Sequence, residues 1–286
     1  MKINNRKTLS IIAATLIPLA LSSPALALGP GHGHGHDDKS HEMPDAKKSA
    51  PTMDKQAKKI WDKSVNATMG KEAKNYGIKS MRLSGTMSMP SQGINANMNI
   101  LIATDKGVRM VMEIPGLGSF EQGLSGDVAW SSNMMEGPKI LEGEEAKQYH
   151  KQSDLYAHLH WDQYYQSITF KGQETVTMPD DTEVMTNALE LLSIDDDTIS
   201  THYYNADSGL LVKSVTDVTI AGGAKIPSTA YTMDYRDVGG IKIPFKTISS
   251  TGPMQQIIEF TSVEVNVEIG EDELALPKDI QELLED

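Results

Sequence analysis

The sequence predicts an α+β fold that is mainly β, built around one large antiparallel sheet with an apolar face and a polar face. Two observations predict it. Apolar and polar side chains alternate through three consecutive segments between Ile78 and Ile114, and the alternation resumes in seven segments between Ser167 and Ile269. Because successive side chains of a strand point to opposite faces, alternation of this length indicates strands with one buried face.

Methionine supplies many of the apolar side chains in the first three segments, which run from Ile78 to Met89, from Ile94 to Ile102 and from Val108 to Ile114. Methionine adapts to irregular shapes, so two interpretations stay open: these side chains line a cavity for flexible apolar molecules, or they fill a dry core beneath helices. With one tryptophan from the strand that follows, the candidate cavity residues are Met81, Leu83, Met87, Met89, Met98, Ile100, Met110, Met112 and Trp130.

An amphipathic helix is predicted from Met53 to Met69, just before the first strand. Asp54 is a suitable N-cap residue, and Gly70 supplies a stop. Apolar side chains recur at spacings of three and four residues, which places them on one helical face. That face consists of Ala57, Ile60, Trp61, Val65 and Met69. Such a helix most simply covers the apolar face of the sheet, with Trp61 as a packing anchor.

The segment from Glu142 to Tyr165 also favours helix and ends in an aromatic cluster. His150, Asp154 and His158 lie four residues apart, so on one continuous helix they would share a face, as metal ligands or proton carriers do. The alternative is an exposed polar face on a helix that covers the sheet. No glutamate stands between the histidines as in the His-Glu-x-x-His pattern, which favours the alternative.

Three turn-rich segments have some features of ligand-binding loops. The glycine-rich run from Pro115 to Asp127 would need a following helix to cradle phosphate, but a strand follows, so the glycines are predicted to form turns or bulges. Residues 195–197 are three consecutive aspartates, and Asn205 and Asp207 form a second acidic corner. Neither has the spacing or the closing glutamate of an EF-hand loop, so both are predicted as turns.

The last predicted strand, Gln255 to Ile269, contains an irregularity. The apolar positions change parity near Phe260 to Ser262, which predicts a β-bulge or a strong bend. Pro277 then ends the sheet, and residues 278–286 are predicted as a short acidic helix or a frayed tail.

The first 52 residues predict export and a tether. Residues 1–27 combine a basic start, an apolar core from Ile11 to Leu21 and the cleavage pattern Ala25-Leu26-Ala27 of a secretory signal peptide. Residues 28–52 form a predicted disordered His/Gly/Asp-rich tether, so residues 53–286 are predicted as a single domain. Neutral imidazoles on this tether offer nitrogen ligands to Zn²⁺, Ni²⁺ or Cu²⁺, while the alternative is a solvated tail without a metal role. The histidines concerned are His32, His34, His36 and His41.

Composition limits the function. The 286 residues carry a formal net charge of −13, which disfavours binding to nucleic-acid phosphates and to anionic membranes. The chain has no cysteine, which excludes disulfides, thiol catalysis, thiolate metal sites and a lipid-modified cysteine. Export without cysteine chemistry suits a bacterial periplasm, and no segment after the signal is apolar enough to span a bilayer, so a soluble protein is expected. Without a Gly-x-Ser-x-Gly pattern, enzymatic activity is not expected.

Two stretches, YYNADSGLLVK from Tyr203 to Lys213 and DYRDVGGIKIPFK from Asp234 to Lys246, carry a resemblance to a known family. With Gly85-Thr86-Met87, Pro115-Gly116 and the GDVAW run from Gly126 to Trp130, they resemble bacterial outer-membrane lipoprotein-sorting proteins related to LolA and LolB, over residues 52–277. The resemblance implies an open antiparallel half-barrel of about ten or eleven strands, whose concave apolar face is covered by a few helices and holds acyl chains. LolB-like members are anchored through a cysteine that this chain lacks, so soluble LolA-like carriage is implied. The cavity arginine of LolA is assigned to no position here, and the histidine tail lies outside the family pattern.

The expected function is that of a non-enzymatic periplasmic carrier for lipoprotein acyl chains, lipid or another hydrophobic ligand. The expected partners are lipoprotein or lipid cargo and an envelope transport component. No cofactor is expected apart from a divalent transition metal at the histidine tail, which is also the basis of the alternative function, a metal-linked periplasmic accessory protein. A hydrolase that pairs acids from distant strands is the third hypothesis. The sequence leaves the oligomeric state open.

Overall fold

The computed structural model describes residues 49–70, 75, 77–104, 106–219, 225–270 and 272–285. The predicted signal peptide and the tether histidines lie outside these residues, so both stay predictions. Within the described part of the chain, every helix falls short of the length and apolarity that crossing a bilayer requires.

The described residues form one 14-stranded sheet, four α-helices and one short 3-10 helix. The strands are β1 (Thr52–Met53), β2 (Ser80–Met89), β3 (Ile94–Ala103), β4 (Gly107–Ile114), β5 (Gly118–Ser125), β6 (Val128–Asn133), β7 (Gly137–Leu141), β8 (Tyr165–Thr177), β9 (Glu183–Ser193), β10 (Ile199–Asn205), β11 (Leu211–Thr219), β12 (Lys225–Val238), β13 (Ile241–Thr251) and β14 (Met254–Val265). The helices are α1 (Lys55–Thr68), α2 (Gly143–Ser153), α3 (Trp161–Tyr164), α4 (Lys278–Glu285) and the 3-10 helix Pro90–Gln92. The predicted α+β, mainly β class is confirmed.

The sheet consists of two antiparallel meanders that meet in the middle. Strands β2 to β7 form one meander and β8 to β14 the other, and the two join where β14 pairs with β2. β1 adds in parallel to β8 at one edge and β7 forms the other edge, so the sheet stays open, as predicted. Three strands of the sheet, β1, β5 and β7, were not predicted from side-chain alternation.

The face that α1 and residues 142–164 cover is called the inner face, and it holds the main core. Strand register aligns the apolar positions, because Met98 pairs with Met112 and Ile100 pairs with Met110. Burying an apolar side chain of this size contributes about 1.5–3 kcal/mol relative to leaving it exposed. Eight predicted cavity residues are 0–2% exposed on this face: Met81, Leu83, Met87, Met89, Met98, Ile100, Met110 and Met112.

Helix α1 covers the inner face as predicted. Its N-cap is Asp54, whose Oδ1 accepts hydrogen bonds from the backbone nitrogens of Gln56 and Ala57, both at 2.8 Å. Oδ2 of the same carboxylate accepts from the backbone nitrogen of Phe170 on β8 at 2.7 Å, so the cap also joins the helix to the sheet. The predicted apolar face is buried: Ala57, Ile60, Trp61, Val65 and Met69.

The predicted irregularity in the last strand is a β-bulge. The pairing of β14 with β2 shifts between Phe260 and Ser262. Phe260 before the shift and Val263 after it both belong to the inner core, so the bulge keeps apolar side chains directed inward although their parity changes.

The opposite, outer face is crossed by the chain that follows β14. This outer strap comprises residues 266–270 and 272–285. Leu274 of the strap packs with Leu101 and Ala103 of β3 in a small separate core. Nη2 of Arg82 lies 2.8 Å from Oε1 of Glu273. The strap ends in α4. Of the two alternatives predicted for this segment, a short helix and a frayed tail, the structure shows the helix.

Both edges of the sheet are short or irregular. At one edge, β7 has five residues including Pro138. At the other, β1 pairs with β8 through Ser167 and Ile168. The register of β8 with β9 shifts between Phe170 and Gly172, and the φ of 128° at Gly172 is one that a glycine adopts without strain.

Candidate functional site

The inner face is closed by residues 142–164, which we call the cover: α2, the turns at 154–160, and α3. The cover includes a run with high helix propensity, Glu145 to Gln148, and α2 ends at Ser153 because Asp154 takes a non-helical ψ of 94°. Partly buried side chains of the cover pack against the core of the sheet: Ala146, Tyr149, Leu155, Leu159, Trp161 and Tyr164.

Hydrogen bonds from partly or fully buried side chains join the cover to the rest of the fold. The hydroxyl of Tyr156 bonds both backbone polar groups of Ile78, and Nε1 of Trp61 on α1 donates to the carbonyl oxygen of His158 at 3.0 Å. At the surface, α2 adds the ion pair between Lys147 and Asp195 at 3.4 Å. Exposed ion pairs of this kind contribute less than about 1 kcal/mol, so the buried bonds and apolar packing hold the cover in place.

An apolar cavity of about 30 Å³ lies beneath the cover, between the end of α1 and the starts of β2 and β13. This volume holds a water-sized group, whereas pockets for small ligands enclose about 300–1,000 Å³. Met81 is the predicted cavity residue that borders it. Its other lining residues are Thr68, Met69, Ile78, Leu155, Tyr156, His158, Ile241, Lys242 and Ile243.

Trp130 lies on the outer face, opposite the other eight predicted cavity residues. Its neighbour Ala129 belongs to the inner core, and alternation directs Trp130 the other way. There its indole lies 5.9 Å from the guanidinium of Arg109, and its Nε1 donates to Oγ of Ser125 at 3.2 Å. The structure therefore corrects the expected placement of Trp130 on the apolar concave side.

A second, smaller pocket of about 10 Å³ adjoins the same region. Four aromatic rings and three basic side chains form most of its walls, and we call it the basic-aromatic pocket. The indole of Trp61 lines it, edge-on to Tyr165 and Tyr204 at centroid distances of 6.3 and 6.4 Å. His158 borders both this pocket and the apolar cavity. The lining residues are Trp61, Lys151, Ala157, His158, Tyr164, Tyr165, His202 and Tyr204.

Burial disfavours the charged forms of the three basic groups. It lowers the pKa of Lys151 to about 8, against the opposing effects of Asp195 and Asp196. Burial, and then the positive charge of Lys151, lowers the pKa of His158 to about 4 and that of His202 to about 3. All three groups line the same pocket, so the charge of Lys151 acts on both histidines.

The predicted face of His150, Asp154 and His158 does not form, because α2 ends before Asp154. The Asp154 carboxylate instead contacts Nδ1 of His160 at 2.9 Å and accepts from the hydroxyl of Tyr164 at 2.8 Å. Among the described residues, no group of three or more histidines and acids is placed to hold a metal ion. The alternative holds only in that α2 covers the sheet, because His150 is exposed whereas Asp154 and His158 are partly buried beyond the end of the helix.

The two acidic segments form turns, as predicted, whereas most of the glycine-rich run is a strand rather than the expected turns or bulges. Residues 118–125 of the glycine-rich run form β5, and β6 rather than a helix follows. Oδ1 of Asn205 accepts from the backbone nitrogens of Asp207 and Ser208, both at 2.8 Å, which closes a turn. The carboxylate of Asp196 likewise binds the backbone and hydroxyl of Thr198.

No protein-family model and no curated protein matches this chain. Among solved structures, a LolA superfamily protein from Nitrosomonas europaea is similar, with a TM-score of 0.51 and 12% identity over 77% of this chain and 97% of that chain. An outer membrane lipoprotein-sorting protein domain from Vibrio parahaemolyticus is similar with a TM-score of 0.53 and 11% identity, over 76% of this chain and 97% of that chain. A DUF1329 family protein from Desulfovibrio piger is similar with a TM-score of 0.54 and 10% identity, over 77% of this chain and 97% of that chain. The likeness is one of fold, and the chain has the LolA-like fold that the sequence resemblance implied.

Proposed function

We propose that this protein is a non-enzymatic periplasmic carrier that holds the acyl chain of a lipoprotein, a lipid or another hydrophobic ligand between the inner face and the cover. The observation that carries the proposal is the continuous, methionine-rich inner face closed by a separate segment with an apolar cavity beneath it. The fold shared with a LolA superfamily protein and a lipoprotein-sorting domain supports the same conclusion.

Uptake of an acyl chain requires the cover to move, because the cavity of about 30 Å³ is roughly a tenth of the smallest ordinary ligand pocket. The cover is suited to such a movement. The inner face that it would uncover is rich in methionines, which repack around different shapes at low cost. Leu155 and Tyr156 of the cover and Ile241 of β13 all line the cavity, so we expect the cargo to enter between these two elements.

The periplasmic location rests on the predicted signal peptide and on the lack of cysteine. Export would place the chain beside lipoproteins and lipids, which supports them as cargo and an envelope transport component as a partner.

Uptake of a fluorescent fatty acid by the delipidated, refolded chain tests the proposal. Saturable binding near one probe per chain is expected. Ile241→Phe places a larger side chain in the wall of the cavity and should weaken binding by about tenfold, the effect of a poor fit in an apolar pocket. Ile199→Phe is the matched control, since Ile199 is 54% exposed and lies outside the cavity. Absence of saturable uptake, or equal loss in both variants, would refute the proposal. Native mass spectrometry of the protein isolated from its own envelope would then identify the cargo class.

A further inference from the structure

Three basic side chains line the pocket next to the apolar cavity, one of them borders both spaces, and the carrier function proposed above makes no use of them. They are Lys151, His158 and His202 of the basic-aromatic pocket. The chain has a formal net charge of −13, so a pocket whose described lining residues include Lys151 and no acid runs against the overall charge.

We propose that the basic-aromatic pocket binds the anionic headgroup, a carboxylate or a phosphate, of an amphiphile whose chain lies in the apolar cavity. The inference rests on the proposed carrier function and adds the polar chemistry of the cargo to it. His158 supports this arrangement because it borders both spaces, so a ligand passing along it would have its chain on one side and its headgroup on the other.

Lys151 is the principal donor. Its Nζ donates to the Tyr165 hydroxyl at 3.3 Å and lies 4.4 Å from the centre of that ring and 5.2 Å from the ring of Tyr164. An ammonium group has three N–H donors, and an oxyanion forms shorter and stronger bonds with them than a phenol or a ring does. Arrival of a headgroup would therefore draw the ammonium group away from the tyrosines as the cover opens.

The acids nearest to the pocket are engaged elsewhere. Asp154 contacts His160 and Tyr164, and Asp195 pairs with Lys147. Asp196 accepts hydrogen bonds from Thr198. None of these carboxylates is among the described residues that line the pocket, so an anion that enters as the cover opens would meet Lys151 without a competing acid.

Aromatic walls strengthen the case for an anion. Trp61, Tyr164, Tyr165 and Tyr204 exclude water, and in a water-poor site the attraction between an ammonium group and an oxyanion increases. A bound anion would also raise the pKa of His158 from its lowered value of about 4, so binding under acidic conditions should take up a proton.

The test compares ligands that share one oleoyl chain: oleate, oleoyl lysophosphatidic acid and the neutral monoolein, each titrated into the full chain by calorimetry. We expect the anionic ligands to bind about tenfold more tightly than monoolein, which is the effect of one charge-assisted hydrogen bond. Lys151→Met should remove this preference and leave monoolein binding unchanged. Lys147→Met is the control, because Lys147 lies on the same helix outside the pocket.

The outcomes separate the two proposals. Tighter binding of both anionic ligands than of monoolein supports a headgroup site that accepts carboxylates and phosphates alike. Tighter binding of only one of them supports a site that is specific for the carboxylate or for the phosphate. Equal binding of all three ligands overturns the headgroup site and leaves the carrier intact, as does a preference that survives Lys151→Met. No binding of any ligand refutes the carrier and the headgroup site together. Circular dichroism of each variant checks that it is folded.

Discussion

The hydroxyl of Tyr156 accepts a hydrogen bond from the backbone nitrogen of Ile78 at 2.8 Å and donates one to the carbonyl oxygen of the same residue at 2.7 Å. One side chain thus satisfies both backbone polar groups of a residue that is 3% exposed and precedes β2. The pair ties the cover to the first long strand at the wall of the apolar cavity.

Tyr156→Phe should loosen the cover. The substitution keeps the ring but leaves two buried backbone groups unpaired, which costs about 1–3 kcal/mol each unless water reaches them. We expect a lower free energy of unfolding in urea and faster uptake of the fluorescent fatty acid in stopped-flow mixing. Tyr149→Phe removes a phenol from the same cover without touching Ile78. Indistinguishable stability of the two variants would contradict the role given to Tyr156.

Leu274→Ala should detach the outer strap from β3. Leu274 is 7% exposed against Leu101 and Ala103, and its truncation should lower the free energy of unfolding by about 2–4 kcal/mol. Leu284→Ala, at a position 51% exposed on α4, should change it by less than about 0.5 kcal/mol. Equal effects in urea titrations would show that the strap is not held by this small core.

His202 should make the fold sensitive to acid. Burial lowers its pKa from 6.5 to about 3, so between these values the unfolded chain binds a proton that the folded chain does not. Stability from this group is therefore complete above pH 6.5 and is lost as the pH falls, on the order of 2–3 kcal/mol by pH 4. His202→Phe keeps a buried ring without titrating. Urea unfolding at pH 7 and pH 4 should show a smaller acid-induced loss in this variant, and equal losses would contradict the prediction.

The histidine tail stays a predicted metal site outside the described residues. Calorimetry with Zn²⁺, Ni²⁺ and Cu²⁺ on the full chain should show binding, because neutral imidazole nitrogens are good ligands for these ions. Replacing His32, His34, His36 and His41 together by alanine should abolish it. Equal affinities in the two proteins would rule out the tail.

Alternation predicted the inner face well where one face of a strand is buried and the other is wet. In β3, exposed Asn95 and Asn97 flank buried Ala96, so the period of two identifies the buried side. The same signal located the bulge at Phe260 to Ser262.

Alternation was uninformative where both faces are buried or glycine interrupts the pattern. In β6, Ala129 and Trp130 are both buried, on opposite faces, so periodicity did not reveal which side Trp130 takes. In β5, a Cβ at Gly123 would collide with the carbonyl oxygen of Val108 and press on the Trp130 ring. This glycine therefore allows neighbouring strands to pack closely, whereas the sequence had predicted that the glycines of this segment form turns or bulges.

The basic-aromatic pocket carried no sequence signal. Lys151 and His158 come from the cover and His202 from β10, so the fold alone brings them together. Helical spacing grouped His150 with His158 instead, and the end of α2 at Ser153 separated them.

The irregular rim of the sheet has a consequence for self-association. A fibre grows when a straight strand with free backbone groups offers a template to another chain. Here β8 is distorted at Gly172 and carries the Lys171 to Glu190 ion pair, while β7 is five residues long and includes Pro138. A wide sheet can thus remain unclosed without seeding polymers from either end.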